Sequence, residues 1–95
     1  MSAPALRSVR VRVTGRVQGV SFRAWTQGRA RALGLDGWVR NEADGSVRAL
    51  IGGELSAVDE MIAALHDGPR WAKVEGVEVE PAEMADVPPG FQITR

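Results

Sequence analysis

Between Ser8 and Thr14 the chain alternates strictly, with Val9, Val11 and Val13 on one side and Arg10 and Arg12 on the other. A period of two predicts a strand with one buried and one wetted face, as in an antiparallel sheet. Gly15-Arg16-Val17-Gln18-Gly19-Val20 follows as a loop, and Ser21 is placed to cap a helix over about 22–33. Phe22, Thr26, Ala30 and Leu33 fall along one side of that helix, and Gly34 stops it. Gly28 inside it costs roughly 1 kcal/mol against Ala, and nothing in the sequence explains its presence. A second strand over 35–41 leads through the Asp44-Gly45 hairpin signal into a third over about 46–52, with Val47, Ala49 and Ile51 inward. Leu55, Val58, Met61, Ile62 and Leu65 then recur at helical spacing over 55–66. Ser56 and Asp59 form a capping-box-like start, and Gly68-Pro69 closes the helix. Short strands over 74–80 and 91–94 complete the pattern, on either side of Pro88-Pro89.

The order is βαββαβ with a short extra strand. It predicts an α+β fold, the ferredoxin-like split βαβ sandwich, in which two helices cover one face of an antiparallel sheet. Residues 1–6 read as a flexible N-terminal tail ahead of a single domain over 7–95. Right-handed crossovers put the carboxyl ends of strands one and two at one edge of the sheet. The glycine loop and the 41–45 hairpin are therefore expected to be neighbours in space.

Composition removes whole classes of chemistry. At 95 residues, 44% apolar and 25% charged, the chain is one ordinary globular domain. Its longest run free of charged residues, Val87 to Thr94, is too short to span a bilayer, so no membrane partner is expected. The start lacks a basic region followed by an apolar core, so a cytoplasmic location is the expectation. Without cysteine there is no disulfide, thiolate nucleophile or Cys-based metal site. The single histidine, His66, sits near a helix C-terminus, where it reads as a surface group, so no His relay, metal or cofactor is expected.

Charge adds a direction. Residues 1–48 carry nine Arg against Asp36, Glu42 and Asp44, while the rest carries three basic against nine acidic groups. The zero net charge argues against sequence-independent nucleic-acid binding, whereas the polarity suits capture of a small anion by the positive half. The open sheet face offers Arg10, Arg12, Arg40 and Arg48 but only Trp38 as an aromatic, thin provision for stacking bases.

Two features carry candidate chemistry. A loop with glycine near each end can turn its amides into one concavity, and it feeds a helix N-terminus that favours an anion. Arg23 in the first helical turn can fork onto two phosphoryl oxygens. Asn41, where the second strand ends at the same edge, can hold a water in line with a bound phosphorus. Taken singly, each has a plain alternative: a tight strand-to-helix connection for the loop, and an Asn that bonds its own turn for Asn41.

Together these residues resemble a known family. Gly15-Arg16-Val17-Gln18-Gly19-Val20-Ser21-Phe22-Arg23 is similar to the first signature of the acylphosphatases, G-x-V-Q-G-V-x-F-R. Gly37-Trp38-Val39-Arg40-Asn41-Glu42-Ala43-Asp44-Gly45-Ser46-Val47 with Gly53 is similar to the second. The likeness spans about residues 7–95 and agrees with the fold read from periodicity. It implies hydrolysis of small acyl phosphates, carbamoyl phosphate among them, to a carboxylate and inorganic phosphate, without metal; nothing in the sequence suggests an obligate assembly, so a monomer is expected. Carried over by position, it makes Arg16, Val17, Gln18, Gly19 and Val20 the phosphate loop, acting through backbone amides. Arg23 becomes the phosphate-binding and catalytic arginine, and Asn41 the group that orients water. Arg48 departs from the acid that many members carry on this strand and is expected to lie away from the site. The alternative from another class is a non-catalytic phosphate- or anion-binding regulatory module of the same fold.

Overall fold

A computed structural model describes residues 5–95. Of the tail read over residues 1–6, residues 1–4 lie outside the described residues. Strand β1 (Leu6–Arg16) is followed by helix α1 (Phe22–Ala32), β2 (Asp36–Asn41), β3 (Val47–Glu54), α2 (Leu55–Asp67), β4 (Lys73–Pro81), a 3-10 turn (Met84–Asp86) and β5 (Phe91–Ile93). The sheet order is β4-β1-β3-β2-β5. The alternation read in the sequence sets the packing. Val9, Val11, Val13, Val39, Val47, Ala49 and Ile51 all point to one face, where they meet Phe22 and Ala30 of α1 and Val58, Met61 and Leu65 of α2.

The sheet is mixed where an antiparallel one was expected. Four strands are antiparallel, but β5 pairs parallel with β2 through Gly37↔Phe91 and Val39↔Ile93. The connection explains this. β4 ends at the edge where β2 begins, and the chain crosses the helix-free face to reach the far side of β2. Entering there, it can only run the same way as β2. Ser8 Oγ donates to the Ala82 carbonyl at 2.7 Å at one end of the crossing, and the Gly90 amide donates to Asp36 Oδ1 at 2.9 Å at the other. Midway the strap lies so close that a Cβ on Gly52 would meet Val87 and Met84 at about 3 Å. Part of the nominally open face is thus covered, and Leu50 on that face is buried.

Both helix starts differ from the sequence reading. The Ser21 hydroxyl caps nothing: Ser21 sits in the left-handed region at φ 61, and its carbonyl takes the first helical bond from the Trp25 amide at 3.0 Å. At α2, Ser56 Oγ bonds the Glu54 side chain instead of capping the helix, and Leu55 is exposed. Gly34 and Gly68 end the two helices as expected, both at positive φ.

Gly28 lies on the exposed side of α1, and a Cβ there would meet nothing within 4 Å. Its flexibility therefore costs helix stability without relieving a clash. Gly28→Ala is expected to stabilise the protein by about 1 kcal/mol, raising the thermal midpoint by roughly 4–8 °C. A lowered midpoint would mean that the position has a role the packing does not reveal.

Candidate active site

At the edge where β1 and β2 end, a cleft of about 370 Å³ opens between the β1–α1 loop, the first turn of α1 and the ends of β2 and β5. Val17, Gly19, Ser21, Phe22, Arg23, Ala24, Asn41 and Ile93 line it. The loop and Asn41, 18 or more residues apart in the chain, thus share one cavity because β3 lies between two parallel strands, β1 and β2.

The loop is shaped by two backbone requirements. Gly15 adopts φ +115 at the register shift between β1 and β4, where a Cβ would collide with the Lys73 carbonyl. Gly19 at φ +74 turns the loop's crown, and no other residue type takes that conformation so cheaply. Ser21 adds a third positive φ immediately before the helix. The first intrahelical bond is that of Trp25, so the amides of Phe22, Arg23 and Ala24 have no backbone partner, and no side chain caps them. Free amides at the positive end of a helix dipole favour an anion.

Gln18 ties the loop to the hairpin. Its Nε2 donates to the carbonyls of Glu42 at 2.8 Å and Ser46 at 2.9 Å, the two residues that face each other where the hairpin closes. Its side chain is therefore turned away from the cleft, and Arg16, Gln18 and Val20 do not line it. Val17 is 1% exposed and packs in the core beneath the cleft. Of the sequence-derived set, the cleft brings together Val17, Gly19, Arg23 and Asn41 and adds Ser21, Phe22, Ala24 and Ile93. The Ile93 position was open to parity reasoning once β5 was known to pair parallel with β2. The left-handed Ser21 carries no signal that composition or spacing reveals.

The charges are disposed unevenly. Arg12 pairs with Asp44 and Glu78, Arg10 with Asp86, Arg7 with Asp59, and Arg40 and Arg48 both with Glu42. Arg48 lies on the helix-free face, away from the cleft. Arg23 makes no ion pair among the described residues, so its guanidinium is free for a ligand. Asn41 Oδ1 is buried beside the cleft without a donor, an orphan acceptor of the kind a bound water completes. His66 is exposed at the end of α2 and takes no part.

The comparisons with known proteins agree with this geometry. A family model described as acylphosphatase matches residues 9–93. The chain belongs to the acylphosphatase family. An acylphosphatase of Rhizobium etli is 58% identical over 87 residues, 92% of this chain and 93% of that protein. The crystal structure of acylphosphatase from Bacillus subtilis superposes with a TM-score of 0.89 at 34% identity, covering 96% of this chain and all of that one. An acylphosphatase structure from Coxiella burnetii gives 0.91 at 31% identity, over 99% of this chain and all of that one. Membership makes the chain an enzyme of the hydrolase class.

The hairpin that positions Asn41 carries its own acid sensitivity. The Asp44 carboxylate accepts from Ser46 Oγ at 2.6 Å, the Ser46 amide at 2.9 Å and Arg12 Nη2 at 2.9 Å. The Ser46 hydroxyl above all, then Arg12, holds its carboxyl well below the usual range, and the same contact pushes Arg12 up. A depressed carboxyl stabilises the fold above its unfolded pKa of about 4, and the contribution is lost as pH falls through the lower folded value. Thermal melts at a series of pH values should therefore show the wild type losing stability below about pH 4 more steeply than Asp44→Asn. Parallel acid limbs would contradict that assignment.

Proposed function

We propose that the protein hydrolyses small acyl phosphates to a carboxylate and inorganic phosphate, with the phosphoryl group held by backbone amides of the β1–α1 loop around Val17 and Gly19 and of the α1 start, and by Arg23. The shared cleft carries this reading: an anion cradle, an unpaired guanidinium and a carboxamide with an unmatched acceptor line one cavity. Asn41 Oδ1 accepts from a water and aims its lone pair at phosphorus. The new P–O bond forms as the bond to the acyl oxygen breaks, and the leaving carboxylate takes that electron pair.

The proton inventory explains why neither His nor Cys is required. A carboxylate has a conjugate-acid pKa of roughly 4, so it departs at neutral pH without a general acid. The water's proton passes to a phosphoryl oxygen after the loose transition state, in which charge spreads over the equatorial oxygens. Positive dipoles and Arg23 lie where that charge grows, and such electrostatic preorganisation supplies the larger part of the rate. No metal enters the scheme. The cleft is complete within one chain, in keeping with a monomer.

The test is benzoyl phosphate hydrolysis with and without EDTA, on the wild type and two variants. Turnover should survive chelation. Asn41→Ala should lower kcat by about 10²-fold or more while phosphate binding, read by calorimetry, stays nearly unchanged. Arg23→Gln should impair both. Absence of turnover in the wild type, or its loss on chelation, overturns the proposal.

A further inference from the structure

The loop joining α2 to β4 lies at the same edge of the sheet as the cleft. Lys73, where β4 begins, is the Cα partner of Arg16, where β1 ends. A Cβ on Gly68 would come within 3.2 Å of the ring of Phe22, which lines the cleft. This loop displays Trp71 at 71% exposure, the most exposed large apolar side chain among the described residues. The Arg70 guanidinium lies 5.1 Å from its ring centroid. Asp67 and Glu75 flank the segment, yet neither Arg70 nor Lys73 makes an ion pair among the described residues. Five of the six strand arginines do, Arg16 at this same edge being the exception. An indole left in water contributes nothing to the core, and it is joined here by two uncompensated cations.

In-line displacement fixes which side of the cleft this is. The attacking water and the leaving oxygen lie on opposite sides of phosphorus. With the water at Asn41 on β2, the sheet order β4-β1-β3-β2-β5 puts the leaving acyl group toward β1 and β4. We propose that Arg70, Trp71 and Lys73 form the subsite for the acyl group, and that they select acyl phosphates whose acyl part carries a second negative charge. This rests on the acyl phosphate reading of the cleft and goes beyond it by assigning the far end of the substrate. The guanidinium forks onto a carboxylate, the ammonium adds a point charge, and the indole face packs on the carbon skeleton between the two anionic ends. Arg70 stacked on Trp71 is already oriented, so less rotamer freedom is lost on binding.

Benzoyl phosphate and 4-carboxybenzoyl phosphate differ by one para carboxylate and test the inference side by side. The wild type should turn over the carboxylated substrate with a kcat/KM about five- to tenfold higher, because the subsite is exposed and its pairs are screened. That preference should shrink as salt is added. In Arg70→Gln/Lys73→Gln the ratio should fall to about one, and Trp71→Ala should raise KM several-fold for both aryl substrates with little change in kcat. A ratio of one in the wild type, or a ratio that the double variant leaves in place, overturns the subsite while leaving the hydrolase reading intact. Failure of the wild type to turn over either compound overturns the hydrolase reading and the subsite with it.

Discussion

Gln18 donates both amide protons of its side chain across the gap between the β1–α1 loop and the β2–β3 hairpin, and the cleft depends on that bridge. Neither segment has regular structure at the point of contact, so chain connectivity alone would leave them to move independently. The fold brings them to one edge by placing β3 between the parallel strands β1 and β2. The carboxamide then fixes their separation by occupying the carbonyls of Glu42 and Ser46. The loop's amides and the Asn41 side chain can face a common space only because that distance is held.

The same edge gathers several of the protein's unmatched charges and hydrogen-bonding groups. Elsewhere the arginines of the strands are matched: Glu42 holds Arg40 and Arg48, and Asp44 together with Glu78 holds Arg12. Five of the nine arginines in the first half of the sequence are thus absorbed by acids of the hairpin, α2, β4 and the 3-10 turn. Arg23, the uncapped amides of the first turn of α1 and Asn41 Oδ1 are exceptions, and they converge. Exposed ion pairs contribute little to stability, on the order of 0–1 kcal/mol each, so their main consequence here is to reserve the unpaired groups for a small anion.

Much of this was legible in the residue pattern. Val9, Val11 and Val13 give the period of β1; Phe22, Thr26 and Ala30 give the buried side of α1; and crossover handedness places the loop beside the hairpin. The missing parts share a cause. The parallel pairing of β5 depends on which way the 82–90 strap crosses the sheet, and three residues of strand carry no information on direction. Ser21 reads as a cap because its type favours capping, but the turn set by Gly19 forces it into a left-handed conformation that removes its hydroxyl from the helix amides. Gln18 reads as part of the phosphate loop, and nothing local shows that its side chain serves the hairpin, since the carbonyls it binds lie 24 and 28 residues away.

Everything functional rests on the phosphoryl anion being held by main-chain nitrogens at the α1 edge together with Arg23, and not by the arginines of the helix-free face. Titrating inorganic phosphate into isotopically labelled protein while following amide and arginine side-chain resonances tests this directly. The amides from Arg16 to Ala24 and the Arg23 Nε should shift together and saturate with one dissociation constant, with Arg10, Arg40 and Arg48 unmoved. Saturating shifts confined to those three arginines of the helix-free face, with the loop silent, would contradict the proposed site.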